Sequence, residues 1–259
     1  MRELELTITQ NIKIAENIYR MDFSLTEGVG AIQCGQFLNL SLNRPDLLLK
    51  RPFGICSYDK DGRSITICYQ LAGKGTQEMS TMQAGDKLMA TLPLGNGFKL
   101  CDSYKKVALI GGGVGIFPLL SVPLNYPDKE YYSFLGYRSK SFVCMKKEFE
   151  AFCCSRIATD DGSLGQKGNA VELFLSNYDS IKPDVILACG PTVMLKALKK
   201  GLKENNINTP AFVSLEERMG CGVGACLVCV CQLEKREGVA ANARVCKDGP
   251  VFNILEVEL

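Results

Sequence analysis

The chain has 259 residues, which is enough for two domains of ordinary size or for one large domain with a small module. Apolar residues make up 46% and charged residues 22%, which excludes a disordered chain, and a formal charge of +2 gives no strong field for nucleic acid or an anionic membrane. The sequence contains no histidine, which excludes a Ser-His-Asp or Cys-His catalytic site, a Rieske centre and a His-ligated haem.

The first hundred residues consist of short segments of alternating polar and apolar character, separated by Gly, Asp and Asn. Evenly spaced short strands without helical stretches between them predict an antiparallel β-barrel over residues 1–100. The predicted strands cover residues 3–8, 18–25, 37–42, 64–70 and 87–92.

The charged first residues, with no apolar stretch after them, do not resemble a secretory signal, and we expect a cytoplasmic protein.

Apolar strands alternate with helical segments after residue 100. Residues 107–110, 131–137 and 185–188 indicate buried strands, and the last leads into the helical segment VMLKALKKGLKENN. This alternation predicts a parallel α/β nucleotide-binding domain over residues 101–210. The run 107–127 lacks charged residues, but its glycines and prolines favour a strand, a turn and a helix start over a membrane span.

Five of the thirteen cysteines lie in the last 49 residues, where we predict a small module over residues 211–259. Cys221, Cys226 and Cys229 are spaced C-x4-C-x2-C, and Cys246 follows after sixteen more residues, which is the plant-type 2Fe-2S ligand pattern. Four thiolates also suit a structural zinc ion, but zinc sites usually contain two C-x2-C pairs and Cys246 stands alone. The spacing therefore favours an iron–sulfur cluster and leaves zinc as the alternative.

The loop around the first three cysteines is rich in glycine. Gly220, Gly222 and Gly224 lack side chains that would keep backbone N–H groups away from the cluster sulfurs. Cys231 follows Cys229 by two residues, but isolated cysteines are usually small buried apolar residues. We therefore leave Cys231 out of the predicted ligand set.

Two turns after predicted strands have the residues of a dinucleotide site. The segment GGGVG at 111–115 precedes a helix start, and such a turn can hold a pyrophosphate, although tight packing of a strand and a helix also requires glycine. The segment TDDGS at 159–163 carries Asp160 and Asp161, whose carboxylates can accept hydrogen bonds from ribose hydroxyls. An ordinary acidic turn is an equal alternative for this second segment.

Two segments of the predicted barrel suit a phosphate contact. The segment GKGT at 73–76 presents backbone amides and a hydroxyl, but it is not a Walker A loop because Lys74 is followed by Gly75. Arg51 precedes Pro52, and a rigid residue after a guanidinium suits a fixed bidentate phosphate contact. Taken alone, the same dipeptide is commonly a surface turn.

Together these segments resemble the ferredoxin reductase-like flavoproteins, and more closely the electron-transfer subunits of the NAD-dependent, two-subunit bacterial dihydroorotate dehydrogenases. The resemblance covers nearly the whole chain, and its last motif is the most specific. It depends, in chain order, on RPFGIC from Arg51, GKGT from Gly73, GGGVG from Gly111, TDDGSLGQKG from Thr159, ACGP from Ala188 and SLEERMGCGVGACLVCVC from Ser214.

The resemblance implies three cofactors, FAD, NAD and a 2Fe-2S cluster, and no catalytic side chain on this chain. The residues implied for FAD are Arg51, Pro52, Phe53, Gly54, Cys68, Tyr69, Gln70, Gly73, Lys74, Gly75 and Thr76. The residues implied for NAD are Gly111, Gly112, Gly113, Gly115, Asp160, Asp161, Cys189, Gly190 and Pro191. The residues implied for the cluster are Cys221, Cys226, Cys229 and Cys246.

One position departs from the family pattern at the flavin. The family usually has Ser two residues after the Pro, beside the flavin ring, and this chain has Gly54. The resemblance therefore does not supply a contact to the ring nitrogen here. Cys56 and Ser57 lie nearby, but nothing in the sequence makes either a substitute.

The resemblance also implies the activity and the partner. Dihydroorotate would be oxidised on a separate FMN-containing catalytic subunit, and its electrons would pass singly through the cluster to FAD and leave as hydride on NAD, in pyrimidine biosynthesis. The expected assembly is a heterotetramer of two copies of each subunit, with no nucleic acid and no membrane. A preference for NADP stays open, because Arg138 and Lys140 can meet a 2′-phosphate or be solvated.

Three alternatives follow from the same motifs. Reductase subunits of the glutamate synthase-like type share these domains, but their first cluster ligand is typically aspartate, which Cys221 disfavours. A freestanding reductase would move electrons from NAD(P)H to a ferredoxin, an oxygenase or another acceptor. A zinc-bearing binding module would be colourless.

Overall fold

Six antiparallel strands at the N-terminus close into a barrel in the computed structural model, which describes residues 1–236 and 239–259. The strands are β1 (Arg2–Ala15), β2 (Ile18–Ser24), β3 (Phe37–Ser41), β4 (Arg51–Tyr58), β5 (Ser64–Gln70) and β6 (Lys87–Leu94). They follow the order β1-β2-β5-β4-β3-β6, and β6 pairs with β1 to close the barrel. The predicted antiparallel barrel is confirmed, with β4 as a strand that the alternation did not predict.

Alternation along the strands fills the barrel. In β3, the side chains of Leu38 and Leu40 are fully buried in the interior, while those of Phe37 and Asn39 belong to the outer face. A helix, α1 (Lys74–Thr81), follows β5, so the expectation of no helix in this region was wrong. Only Gly75 and Met79 of this polar helix are buried, which gives too little apolar periodicity to be recognised in the sequence.

A seven-stranded sheet forms the centre of the molecule. Its strands are β7 (Lys106–Gly112), β8 (Glu130–Tyr137), β9 (Cys153–Thr159), β10 (Gln166–Lys167), β11 (Val185–Cys189), β12 (Ala211–Ser214) and β15 (Val251–Asn253). They follow the order β10-β9-β8-β7-β11-β12-β15, and all neighbours are parallel except β12 and β15. The middle strands β7 and β11 are almost wholly buried, as their apolar runs require.

Helices and the barrel cover the two faces of this sheet. One face packs on α2 and on barrel residues such as Ile18 and Cys56, and the other packs on α4 and α6. This arrangement gives the predicted α/β nucleotide-binding architecture. The helices are α2 (Ile116–Asn125), α3 (Lys146–Glu150), α4 (Ala170–Leu175), α5 (Tyr178–Ile181) and α6 (Thr192–Glu204).

The charge-free run at 107–127 lies mostly in β7 and α2, with a short 3-10 turn, Gly113–Gly115, between them. The predicted strand, turn and helix are therefore confirmed. Within the described part of the chain, no helix has the length and apolar character needed to cross a membrane.

The C-terminal module contains the cysteine-rich loop and a hairpin of β13 (Val230–Arg236) and β14 (Val239–Arg244). Its small core brings Cys229, Cys231 and Cys246 against Phe37 and Leu94 of the barrel. Two strands within the predicted range 211–259, β12 and β15, complete the central sheet. The boundaries at residues 100 and 210 stay predictions.

Candidate functional site: a cavity between the barrel, the sheet and the cysteine loop

A cavity of about 540 Å³ lies where the barrel, the central sheet and the C-terminal module meet. Its lining is mainly apolar and includes aromatic side chains from the barrel and from α2. Cofactor pockets typically measure about 300–1,000 Å³. The cavity is therefore large enough to accept the ring system of a flavin. The predicted cofactor residues that line it are Pro52, Phe53, Gly54, Cys68, Tyr69, Gln70, Thr76 and Cys189.

The N-terminus of α1 and the Arg51 side chain form a polar end beside this cavity. A Cβ on Gly75 would lie 2.5 Å from Nε of Arg51, so the guanidinium rests directly against the helix start. The Arg51 Nη1 group also donates to the carbonyls of Leu47, at 2.9 Å, and Leu49. A guanidinium next to the N–H groups of a helix N-terminus forms an anion site.

The segment that begins α1 is held by Thr76. Its Oγ1 atom accepts hydrogen bonds from the backbone N–H groups of Ala72, at 2.9 Å, and Gly73, at 3.2 Å. Nothing lies within 4 Å of a Cβ placed on Gly73, and Lys74 is exposed. The loop is thus ordered by its own hydroxyl and open on its outer side.

The structure gives a reason for glycine at position 54 that the sequence did not show. A Cβ at this position would lie 2.5 Å from Cγ of Pro118, which belongs to α2. A serine here would therefore require α2 to move. The packing of this helix explains the departure from the family pattern, and no described contact makes Cys56 or Ser57 a substitute.

Two glycine turns meet at the carboxyl ends of neighbouring strands β7 and β11. A Cβ on Gly115 would lie 2.4 Å from the carbonyl oxygen of Cys189, and a Cβ on Gly190 would lie 3.2 Å from the backbone nitrogen of Gly112. Only glycine allows these backbones to approach so closely. This edge of a parallel sheet is where dinucleotides bind in open α/β folds. It carries Gly111, Gly112, Gly113, Gly115, Cys189, Gly190 and Pro191.

The acidic turn after β9 is partly explained by its own hydrogen bonds. The Asp161 carboxylate accepts from the Ser163 backbone N–H at 2.9 Å and from its hydroxyl at 2.6 Å, and the hydroxyl contact is the main cause of a lowered Asp161 pKa. Asp160 is exposed and uses its backbone N–H to reach the carbonyl of Tyr137 at 3.0 Å. A role for these two carboxylates at a ribose stays a prediction.

Backbone N–H groups converge on the sulfur atoms of the cysteine loop. The Cys221 Sγ atom accepts from the N–H groups of Val223 at 3.4 Å, Ala225 at 3.3 Å and Cys226 at 3.4 Å. These bonds, above all the one from Val223, lower the pKa of the Cys221 thiol to about 6. Because a thiolate is the form that binds metal, the loop is prepared for ligation.

The fourth cysteine, Cys246, lies in a buried turn after β14. Cys246 donates its backbone N–H to Cys229 Sγ at 3.4 Å, and burial raises the pKa of its thiol to about 12. Arg244 ties this turn to the loop by donating to the Gly224 carbonyl at 3.2 Å and to the Asp248 carboxylate. Two separate segments thus present the four predicted ligands from neighbouring positions.

Glu216 is a cavity residue that the sequence reasoning missed. It follows β12 by two positions, lines the cavity, and remains solvent-accessible through it. The surrounding protein atoms raise the pKa of its carboxyl group. Its position in the SLEERM segment was the available signal, but nothing local in the sequence indicates a raised carboxyl pKa.

The comparisons with known proteins identify the family. Residues 216–258 match a family model described as the iron-sulfur cluster binding domain of dihydroorotate dehydrogenase B. The chain is 38% identical, over the full length of both chains, to the dihydroorotate dehydrogenase B (NAD(+)), electron transfer subunit, of Listeria monocytogenes serotype 4b. The chain belongs to the family of these electron transfer subunits. The corresponding protein of Streptococcus mutans is also 38% identical, over 98% of this chain and 97% of that one.

Solved structures agree with this fold. An NADH-dependent reduced ferredoxin-NADP oxidoreductase structure matches with a TM-score of 0.85 at 28% identity, covering 98% of this chain and 89% of that one. Phthalate dioxygenase reductase matches with a TM-score of 0.68 over 94% of both chains, but at 17% identity it supports the fold alone.

The predicted family, fold class and role as an oxidoreductase electron-transfer subunit are confirmed, as are FAD, NAD and a 2Fe-2S cluster as the cofactors.

In the described residues, no three His, Cys, Asp or Glu side chains converge on a point that would hold a single metal ion. A two-iron cluster does not need such convergence, because its four thiolates are shared between two irons. The assignment of individual residues to each cofactor stays a prediction.

Proposed function

We propose that this chain receives electrons from an FMN-containing catalytic subunit that oxidises dihydroorotate, and that it delivers them to NAD in the cytoplasm. The complete assembly contains two copies of each subunit. The observation that carries the proposal is the exposed apolar surface of the cysteine loop, whose residues 220–231 include no charged side chain. It is a surface on which electrons can enter the cluster from another protein.

The residues around the cavity fit FAD. The aromatic side chains of Phe53 and Tyr69 supply an apolar wall, and Arg51 with the N-terminus of α1 supplies an anion site for the pyrophosphate. When bound, FAD supplies the exchange between the one-electron chemistry of a cluster and the two-electron hydride chemistry of a nicotinamide. The protein's own task is to hold the ring against the sheet and to exclude water from it.

The glycine turns at β7 and β11 fit NAD. Gly115 and Gly190 let the two turns pack closely at the carboxyl edge of the sheet, and a Cβ on Gly113 would meet nothing within 4 Å, so this turn is open on its outer side. Cys189 lies at the meeting point of the turns and the cavity, where burial raises the pKa of its thiol. A neutral thiol there presents no charge to a nicotinamide.

The chain places the cysteine loop next to the cavity. Met219 lines the cavity and Cys221 follows two positions later, so their Cα atoms lie within about 7 Å of each other. Phe37 lines the cavity and also packs in the small core that contains Cys229 and Cys246. This proximity supports direct electron transfer between the two cofactor sites.

The exposed large apolar side chains of the loop are Val223, Leu227, Val228 and Val230, which we term the loop patch. Leu227 is 63% exposed and Val228 is 56% exposed. Between Gly220 and Cys231 the sequence has no charged residue, so the loop itself places no unpaired charge under a partner that covers the patch. We therefore assign this patch to the catalytic subunit.

We assign residues 1–100 to FAD binding, 101–210 to NAD binding and 211–259 to the cluster. The barrel core and the cysteine-lined core are separate clusters of buried residues, which supports the first and last assignments. The pairing of β12 with β11 anchors the third region to the second.

A charge on the loop patch tests the proposed partner. Leu227→Glu keeps the positive φ of 56° that leucine already tolerates and adds one carboxylate to the patch. Burying this unpaired charge costs about 3 kcal/mol or more, so association with the catalytic subunit should weaken by about 100-fold. Complex formation would be measured by size-exclusion chromatography and by dihydroorotate-dependent reduction of NAD.

The matched control is Leu255→Glu, which adds the same charge at an exposed leucine outside the patch. Both variants should still oxidise NADH with an artificial acceptor that takes electrons from the flavin. An intact complex with full coupled activity in Leu227→Glu would show that the patch shields the cluster and docks nothing.

A further inference from the structure

Asn39 lies on the outer face of the barrel, under the C-terminal module. In β3 its neighbours Leu38 and Leu40 point into the barrel, so Asn39 shares the outward side with Phe37. Phe37 packs against the core that contains Cys229 and Cys246. The Asn39 side chain is therefore enclosed between the barrel and the cysteine-bearing module, and its exposed fraction is 0%.

This side chain has no hydrogen-bond partner among the described residues. Neither Nδ2 nor Oδ1 of Asn39 reaches a donor or an acceptor, and these are the two buried side-chain atoms of which this is true in the described chain. Buried polar groups almost always have a hydrogen-bond partner, because a group without one loses its hydrogen bonds to water and gains none from the protein. A leucine of similar shape would fill the same space without that cost. The presence of an amide here therefore indicates that its hydrogen-bond partner is a bound group.

The amide group is directed at the cysteine loop. A Cβ placed on Gly222 would lie 2.6 Å from Nδ2 of Asn39, and Gly222 has a φ of +71°. Gly222 stands between Cys221 and Val223, whose backbone N–H donates to the Cys221 sulfur at 3.4 Å. The free N–H donors of Asn39 thus reach the loop at the residue that follows the first predicted ligand.

We infer that Asn39 is a positioning residue for the iron–sulfur cluster, with its amide donating a hydrogen bond from the barrel to the sulfur atoms held by the cysteine loop. This inference depends on the proposed cluster at Cys221, Cys226, Cys229 and Cys246. A donor aimed at cluster sulfur stabilises the extra negative charge of the reduced state and raises the reduction potential. The same strand also carries Phe37, which lines the flavin cavity, so β3 links the two cofactor sites.

The test is a redox titration of the holoprotein carrying Asn39→Leu, followed by the electron paramagnetic resonance signal of the reduced cluster. The cluster potential should fall by about 59 mV, which corresponds to a tenfold change in the one-electron equilibrium constant. The flavin potentials should not change. Asn39→Asp, which keeps the shape and replaces the donor by an acceptor, should lower the cluster potential further.

The matched control is Asn96→Ala. Asn96 also joins the barrel to the module, but its Nδ2 donates to the carbonyls of Lys247 at 2.9 Å and Asp248 at 3.2 Å. Its loss should reduce thermal stability and leave the cluster potential at the wild-type value. A potential that falls equally in Asn96→Ala and Asn39→Leu would overturn the inference, because loosened docking would then explain both.

Thermal unfolding distinguishes an Asn39 amide that contacts the cluster from one that is simply buried without a hydrogen-bond partner. In a cluster-free Cys226→Ser background, Asn39→Leu should be as stable as its parent or more stable, since it removes an unpaired amide. In the holoprotein it should be less stable than wild type. Stabilisation in both backgrounds with an unchanged potential would overturn the inference. A wild-type protein without any cluster signal would instead refute the proposed function.

Discussion

Removing the Arg51 guanidinium should weaken FAD binding much more than removing an exposed arginine elsewhere on the barrel. Arg51 lies against Gly75 at the start of α1 and anchors the carbonyls of Leu47 and Leu49. A charge-assisted hydrogen bond contributes about 1.5–3 kcal/mol, so Arg51→Ala should raise the Kd for FAD by about 10- to 100-fold. The Kd would be measured by the quenching of flavin fluorescence as FAD is added to flavin-depleted protein.

Arg44→Ala provides the control for this measurement. Arg44 is also an arginine of the barrel, but it is exposed and pairs with Asp46 at 3.0 Å and Glu78 at 2.8 Å. Such surface pairs contribute about 0.2–1 kcal/mol, so the Kd for FAD should change by less than about fivefold. Equal Kd values for Arg51→Ala and wild type would refute the anion site at the start of α1.

Two further predictions concern the cluster and the cavity. Cys226→Ser should remove the electron paramagnetic resonance signal of the cluster and leave FAD bound, whereas Cys231→Ser should keep both; joint loss of cluster and FAD in Cys226→Ser would contradict the separation of the two sites. The protein atoms around the cavity raise the pKa of the Glu216 carboxyl group above its ordinary value of 4.5, so above pH 4.5 the folded state keeps a proton that the unfolded state releases, and stability falls as pH rises toward the raised pKa. Glu216→Gln should therefore gain thermal stability relative to wild type as pH rises above 4.5, and a pH-independent difference between the two melting temperatures would show that the carboxyl group titrates normally.

The sequence predicts the parts of this protein whose information is local. The spacing of Cys221, Cys226 and Cys229 is a property of one loop, and the glycine turn at 111–115 directly follows its strand. The barrel strands β2, β3 and β5 also agree closely with the predicted segments, because their alternation is a property of each strand alone.

The remaining features depend on pairing between distant segments. Neither the addition of β15 to the edge of the central sheet nor the packing of Pro118 against Gly54 has a signature in local periodicity. The role of Asn39 also could not be predicted, because nothing near it in the sequence shows that the loop at Gly222 packs over its side chain. Contacts over such separations are fixed by the tertiary fold and not by propensity.

The return of the chain through β15 determines how the cysteine-bearing module can move. Ser214 at the end of β12 pairs directly with Val251 at the start of β15, so the module leaves and re-enters the sheet at adjacent positions. Both of its connections are therefore clamped by the same pair of hydrogen-bonded strands, unlike a carrier domain on a single flexible tether. We therefore expect the distance between the cysteine loop and the cavity to stay fixed, so that electron transfer between the two proposed cofactor sites requires no domain movement.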